Sequence, residues 1–271
     1  MHIDNLYDIF PRANRHVIKV NDTCKELVLY SNYNMESSIN KPDLTDILRY
    51  MYNIPNDLYY ILVGILLSDG TLAYASNKNM NATNISTRKD RNGLKAKNNI
   101  LQNNCRFRLK QSIDHAEYLL FVGNLLAPYS PSYPKNITST FKGKKFYGLN
   151  IYTRALPCFS IIRQKFYVGR VKTIPNDIYD HINYASIAHI IIGDGAYTNK
   201  GITLNLQCFT VPELILLMNV FYIKFDIKCS LHKSRDAHVI YIKVDSVRKL
   251  YPHIKKYILP NMRYKFDLNF N

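Results

Sequence analysis

One hexapeptide occurs twice in this chain with a single change, as Ile54-Pro55-Asn56-Asp57-Leu58-Tyr59 and as Ile174-Pro175-Asn176-Asp177-Ile178-Tyr179. After each copy runs an apolar stretch that closes on an acid and a glycine. The first is Leu62-Val63-Gly64-Ile65-Leu66-Leu67-Ser68-Asp69-Gly70 and the second is Ile187-Ala188-His189-Ile190-Ile191-Ile192-Gly193-Asp194-Gly195. Gln111-Ser112 and Glu117 then match Gln207-Cys208 and Glu213 at the same spacing, with apolar residues following each Glu at helical intervals. A third Pro-Asn pair, Pro260-Asn261, closes the second copy. Three features in the same order indicate a duplication, and a duplication constrains the fold, because whatever one copy builds the other builds too.

Each copy reads as helix, hairpin, helix, hairpin, helix. Pro55-Asn56-Asp57 and Pro175-Asn176-Asp177 look like helix starts, with Pro near the first position and an acid in the first turn. Arg106-Phe107-Arg108-Leu109-Lys110, Thr203-Leu204-Asn205-Leu206-Gln207, Lys228-Cys229-Ser230-Leu231-His232 and Val239-Ile240-Tyr241-Ile242-Lys243 alternate polar with apolar, as half-buried strands do. Glu117 to Leu126 and Glu213 to Phe221 read as helices covering the apolar faces, which leaves the opposite faces polar and basic. The predicted architecture is α+β, two αββαββα units related by a pseudo-twofold.

The chain has 271 residues and a formal net charge of +16. At 47% hydrophobic it can bury a core and is not disordered. No run approaches a membrane span, and the start MHIDNLYDIF reads as neither a signal nor a transit peptide. Cys24, Cys105, Cys158, Cys208 and Cys229 are scattered and form no CxxC pair, so reduced buried thiols are expected rather than disulfides or a zinc site. Split at the repeat, residues 1–53 hold 6 Lys+Arg and 7 Asp+Glu, residues 54–173 hold 18 and 5, and residues 174–271 hold 12 and 8. The positive charge therefore sits on the two copies, mostly the first, and points to a polyanion such as nucleic acid. Its densest stretch, Lys78 to Arg108, is rich in Asn and Ser and reads as a long basic loop or hairpin.

The acids that end the two apolar stretches are the sharpest signal. Gly at C′ is ordinary helix capping. A carboxylate in the last turn is not, because it faces the negative end of the helix dipole at a cost of roughly 0.3–1 kcal/mol. If the two helices pack side by side, Asp69 and Asp194 meet on the pseudo-axis and repel unless a cation lies between them. A hard divalent ion resolves both problems, and helix-end carbonyls, those of Ser68 and Gly193, could add ligands.

The two nonapeptides resemble the LAGLIDADG motifs of homing endonucleases in their single-chain, two-motif form, most closely the intron-encoded mitochondrial group. The resemblance runs from about Ile54 to about Phe266. It is supported by Gln111-Ser112 with Leu206-Gln207-Cys208-Phe209-Thr210, by Lys172-Thr173-Ile174-Pro175 and by Leu259-Pro260-Asn261-Met262-Arg263-Tyr264-Lys265. It implies that the motif helices form the domain interface and that each saddle-shaped antiparallel sheet lies along a DNA major groove. Two sheets of ~30 Å would cover on the order of 18–20 base pairs. It also implies that Asp69 and Asp194 bind Mg²⁺, with Mn²⁺ as a substitute, and hold water against the scissile phosphates. Lys172 and Lys265 match the basic residues flanking the active sites, where they polarise water or stabilise the charged transition state. Gln111 and Gln207 could read adenine or orient a water, or merely cap the loops that follow their strands. Residues expected to contact DNA are Lys78, Arg88, Lys89, Arg91, Arg106, Arg108, Lys110, Lys142 and Lys144 in the first copy. In the second they are Lys200, Thr203, Asn205, Lys228, Ser230, His232, Lys233, Arg235 and Lys243.

The chain departs from the pattern in places. His189 stands at motif position three, where close packing wants a small residue, so the interface must be offset there. A packed, hydrogen-bonded histidine is the expectation for it, rather than a metal ligand. Gln207 shares a strand face with Asn205 whereas Gln111 shares one with Leu109, so a bulge or strand end must intervene in one copy. The first 53 residues lie outside the resemblance. The leading expectation is a monomeric, metal-dependent, site-specific double-strand DNA endonuclease of mitochondrial origin. The runner-up is an RNA maturase that assists splicing of its host intron; a degenerate DNA binder is disfavoured by the retention of both acids. An enzyme of small substrates is least expected, since no Gly-rich phosphate loop, His-Glu metal motif or nucleophile elbow is present.

Overall fold

The structure is a computed structural model that describes residues 37–75, 104–234 and 237–266. A short helix α1 (Asp46–Met51) precedes the first unit. That unit runs α2 (Asn56–Leu67), β1 (Thr71–Tyr74), β2 (Cys105–Ser112), α3 (Ala116–Leu125), β3 (Lys135–Phe141), β4 (Lys144–Tyr152) and α4 (Pro157–Phe166). A small hairpin of β5 (Tyr167–Val168) and β6 (Val171–Lys172) and a one-turn helix α5 (Ile178–His181) connect it to the second unit. There α6 (Tyr184–Asp194), β7 (Gly195–Thr198), β8 (Gly201–Leu204), α7 (Val211–Phe225), β9 (Cys229–Ser234), β10 (Ala237–Ile242) and α8 (Val244–Ile254) repeat the order. Both sheets are antiparallel, ordered β1-β2-β4-β3 and β7-β8-β10-β9. The expected αββαββα order thus holds in both halves.

Alternation decides the two faces of each sheet. Leu72 pairs with Phe107 and Leu109 with Ile151, all buried; between them Arg106, Arg108 and Lys110 look the other way. In the second sheet Ile202 pairs with Ile242 and Leu204 with Ile240, also buried, while Thr203, Tyr241 and Ser230 form a polar row. Thr210 caps α7 with a capping box to Glu213, whose carboxylate also accepts Ile174 N–H at 2.9 Å. That acid marks the repeat in the sequence because it ties the covering helix to the connector.

α2 and α6 pack against each other at the centre. Both are apolar on every side, as a helix must be when no face meets water. A methyl at Gly64 would lie 2.9 Å from Ser186 Cα and His189 Cβ, and one at Gly193 would lie 2.6 Å from Ser68 Cβ. Small residues at these positions are what let the backbones approach. The Ser186 hydroxyl donates across the interface to the Tyr60 carbonyl at 2.8 Å.

The two halves are less alike in detail than the hexapeptides suggest. In the first copy Pro55 is the N-cap of α2, and the helix runs unbroken from there into the motif. In the second copy the chain has five more residues between Pro175 and Asp194 than between Pro55 and Asp69. There Pro175-Asn176-Asp177 starts only α5, and α6 begins anew at Asn183, whose side chain accepts Ser186 N–H at 3.1 Å. The glycines after the acids are not left-handed caps: Gly195 is extended at φ −78°, and Gly70 is not among the positive-φ glycines. Both are needed for clearance, since a methyl at Gly70 would meet the Ile65 carbonyl at 2.9 Å and one at Gly195 would meet that of Ile191. The strand expected over 203–207 stops at Leu204, whereas β2 runs on to Ser112. That strand end is the irregularity the parity of the two glutamines requires.

Residues 76–103, the bulk of the basic loop, lie outside the described residues; β1 and β2, which flank them, pair from Thr71↔Arg108 to Tyr74↔Cys105. The segment before the first unit is anchored to it. The buried Arg154 guanidinium donates to the Ser38 and Lys41 carbonyls at 3.0 and 2.8 Å and pairs with Asp43 at 3.2 Å. Of the cysteines, Cys105 and Cys158 are buried and Cys229 is half-buried, but Cys208 is exposed because it lies in the turn beyond the end of β8.

Candidate active site and nucleic-acid face

The ends of α2 and α6 bring Asp69 and Asp194 together. A methyl at Gly193 would sit 3.3 Å from Asp69 Oδ2, so the first carboxylate touches the backbone beside the second. Asp194 is half-buried. Burial first, and then the charge of Asp69, push its carboxyl up to about 6 against the pull of Lys172 and Lys265.

The two lysines close the helix ends. Lys172, from β6, donates to the Ser68 and Gly70 carbonyls, both at 2.9 Å. Lys265, from the 3₁₀ turn over Pro260–Lys265, donates to the Ile192 and Gly193 carbonyls at 2.5 and 3.0 Å. Each ammonium therefore satisfies carbonyls that the helix leaves without partners and offsets the negative end of its dipole. Burial holds both lysines below their ordinary value, and the two aspartates pull them back up. The Ser68 and Gly193 carbonyls, expected near a metal, each carry one lysine hydrogen bond and keep a second lone pair.

The side chains around the acids differ between the halves. Gln111 donates from Nε2 to Asp69 Oδ2 at 2.6 Å. Its Oε1 faces His115 Nδ1 at 3.3 Å, and His115 Nε2 faces the Tyr264 hydroxyl at 3.1 Å with the two rings stacked. In the second half Gln207 lies exposed in the turn after β8. It is Asn205 that reaches Asp194, donating from its backbone and from Nδ2 to the Asp194 carbonyl at 2.9 and 3.1 Å. Sequence reasoning missed His115 and Tyr264. The first lies past the end of β2 on a 3₁₀ turn, where strand parity no longer predicts direction; the second adjoins Lys265 but comes from the other unit.

His189 is packed in the core, 1% exposed, between Tyr118 and Phe121 of α3. Its Nδ1 meets the Tyr118 hydroxyl at 2.9 Å, and burial lowers its pKa to about 3, so it is neutral. The bulk tolerated at motif position three is absorbed by Gly64 on the facing helix and by the first unit's aromatic side chains.

The polar faces of the sheets carry most of the expected nucleic-acid contacts. Arg106 stands half-buried near Tyr152, its guanidinium carbon 5.8 Å from the ring centroid; Arg108 and Lys110 are exposed beside it. Lys142 and Gly143 form the β3–β4 turn with both φ positive, at 49° and 77°, and place Lys142 and Lys144 at an exposed tip. Asn199 and Lys200 turn β7 into β8 in the same way. Ser230 and His232 share the polar face of β9, and the His232 ring stacks on Tyr241 at 5.3 Å. Lys228 and Lys243 are exposed side by side at the end of that sheet, joined by a backbone hydrogen bond. Lys233 is a correction: it pairs with His238 on the face that carries Cys229 and Leu231, so it stands opposite the polar row. Lys78, Arg88, Lys89, Arg91 and Arg235 lie outside the described residues.

Residues 59–250 match the LAGLIDADG DNA endonuclease family. The chain is 31% identical over 163 residues to the cytochrome b mRNA maturase bI2 of Debaryomyces hansenii, covering 57% of this chain and 62% of that protein. It is 31% identical over 128 residues to the intron-encoded endonuclease ai4 of Dictyostelium discoideum, covering 46% of this chain and 80% of that protein. Among solved structures, the homing endonuclease I-WcaI bound to its DNA recognition sequence shares the fold, with a TM-score of 0.67 at 19% identity over 84% of this chain and 96% of the other.

Proposed function

Because the chain belongs to the LAGLIDADG DNA endonuclease family, we propose that it is a homing endonuclease that makes a double-strand break in a long, asymmetric DNA target. The observation that carries this reading is the meeting of Asp69 and Asp194 at the paired ends of α2 and α6, within a strongly basic body. A protein that only bound nucleic acid would gain nothing from two adjacent carboxylates, one of them half-buried.

The donor set fits a hard divalent cation such as Mg²⁺ or Mn²⁺. It offers two carboxylates, free lone pairs on the Ser68 and Gly193 carbonyls, and room for water and phosphate oxygens. When bound, the ion supplies an activated water and neutralises charge on the leaving oxygen. Asp69 and Asp194 would hold such ions, each acid serving the cleavage of one strand; Lys172 and Lys265 stand beside the carboxylates, where their charge would stabilise the developing phosphorane. Gln111 fixes one oxygen of Asp69 and leaves the other free. Arg106, Arg108, Lys110, Lys144, Lys200, Lys228 and Lys243 grip phosphates and bases along the two sheets.

We take residues 54–173 and 174–271 as the two half-site units of a monomer, and residues 1–53 as an extension whose described part, residues 37–53, docks through Arg154. No helix among the described residues is long and apolar enough to cross a membrane. Similarity to intron-encoded proteins and to maturases of cytochrome b mRNA supports an organellar origin in mitochondria. The same similarity favours a second reading, in which the basic sheets serve intron RNA and promote splicing.

The test is cleavage of the joined-exon sequence that flanks the coding intron. Purified protein with Mg²⁺ is expected to linearise a plasmid carrying that sequence, and chelation is expected to stop it. Failure with every divalent metal, together with tight binding to the intron transcript, would transfer the function to splicing.

A further inference from the structure

We infer that His115 and Tyr264 are positioning residues for the Asp69 half of the site, acting through Gln111 to make the two strand cleavages unequal. The inference rests on the endonuclease reading and adds to it a role for two residues to which the resemblance assigns none.

The argument begins with the amide of Gln111. Its oxygen and nitrogen ends are nearly identical in shape, so its orientation is set by its partners. Asp69 Oδ2, a carboxylate oxygen at 2.6 Å, accepts and therefore demands the Nε2 end. Oε1 then points at His115 Nδ1, 3.3 Å away, and an acceptor there requires Nδ1 to carry the proton. In the neutral ring Nε2 is left with a lone pair, which the Tyr264 O–H, 3.1 Å away and on a stacked ring, can satisfy. Four side chains thus form one directional chain in which each donor fixes the next acceptor. Without His115 the amide oxygen has no donor to hold it, and only the contact with the carboxylate keeps Gln111 in place.

The chain also spans the two units. Asp69, Gln111 and His115 belong to the first, and Tyr264 belongs to the closing 3₁₀ turn of the second, next to Lys265. Among the described residues the second half shows no counterpart: Asn205 grips the Asp194 backbone carbonyl, and the lysines act on the carboxylate through their charge. One carboxylate is oriented by side chains and the other is not, so loss of the chain must act on one strand.

Two measurements test this. The first needs no activity: long-range ¹H–¹⁵N spectra of the full-length protein report the tautomer of each histidine, with His115 assigned by its absence in His115→Ala. Nδ1-protonated His115 that changes in Gln111→Ala is expected; an Nε2-protonated ring insensitive to Gln111→Ala would overturn the inference. The second resolves the two strands on a doubly end-labelled target. His115→Ala is expected to slow one strand about fivefold to tenfold, with nicked product accumulating, while the other strand keeps the wild-type rate. Tyr264→Phe should slow the same strand less. His115→Asn, which returns a donor near the Nδ1 position, should recover most of the rate. Equal slowing of both strands, or no slowing of either, would overturn the inference. If the wild-type protein cuts neither strand, the endonuclease reading falls, and the spectra still decide whether the chain exists.

Discussion

The two units share an order of elements and a sheet topology, yet they arrange their acids differently. In the first, Asp69 is exposed and its carboxylate is held by Gln111 from β2, which runs on to Ser112 beyond its last pairing with β1 at Arg108. In the second, β8 stops early, Asn205 holds the Asp194 backbone, and the carboxyl is half-buried with its pKa pushed up to about 6. What the halves keep in common is what their helix ends demand. Each has a lysine on the terminal carbonyls, a glycine where the chain turns under the helix, and an acid at the interface. What has diverged is the support around the acids, through strand length as well as side chains.

The comparison predicts effects of decreasing size. Asp69→Asn and Asp194→Asn should each reduce cleavage on the order of a thousandfold while leaving target binding intact, read by plasmid linearisation beside a gel shift. Either variant still linearising the plasmid at the wild-type rate would break the assignment of one acid to the cleavage of each strand.

The third position of the motif should show opposite tolerances in the two copies. Gly64→Ala drives a methyl into the Ser186 backbone and should destabilise by about 3 kcal/mol through overpacking. His189→Ala removes bulk instead, and should lose a similar ~3 kcal/mol by leaving a cavity and orphaning the buried Tyr118 hydroxyl. Urea unfolding measures both, and a neutral Gly64→Ala would break the account of the interface.

Asp194 gives the comparison a pH dependence. Its carboxyl is raised on folding, so the native state holds the proton more tightly than the unfolded chain does. Stability from this group is therefore present below its unfolded value and is lost as pH rises through about 6. Asp194→Asn should be more stable than the wild type above pH 6, by about 1 kcal/mol after allowing for solvent screening. The difference should vanish near pH 4, as followed by thermal melts across pH. Metal-dependent cleavage should fall below pH 6, and more Mg²⁺ should shift that midpoint downward, because the ion competes with the proton.

Smallest are the phosphate contacts. Arg108→Ala and Lys110→Ala in the first sheet, and Lys228→Ala in the second, should each lower the salt slope of binding by about 1 with little change in target preference.

Much of the architecture was legible because periodicity and duplication are written residue by residue. Phe107 and Leu109 between Arg106, Arg108 and Lys110 announce both the strand and its two faces. The acids were legible because a carboxylate at a helix end is unfavourable alone and improbable twice. Other features were hidden in places where no local rule applies. The break before α6 depends on five additional residues and a cap at Asn183, which a matching hexapeptide upstream conceals. The role of the glycines was misread because a glycine after a helix signals positive φ and close approach equally well. Tyr264 and His115 meet only through the packing of one unit on the other, and no spacing in the chain encodes that distance.

The hairpin between the units has a consequence for cutting the protein in two. Lys172 sits on β6, in the connector, and its ammonium closes the end of α2 in the unit just left behind. The covalent link is therefore itself a component of the candidate active site as well as a tether that keeps the units at high effective concentration. Halves divided within the turn at Gly169-Arg170 would strand that lysine on the wrong fragment. Halves divided after Thr173 would retain it, and could be exchanged between relatives to mix half-targets, provided both fragments are supplied at concentrations that replace the lost tether.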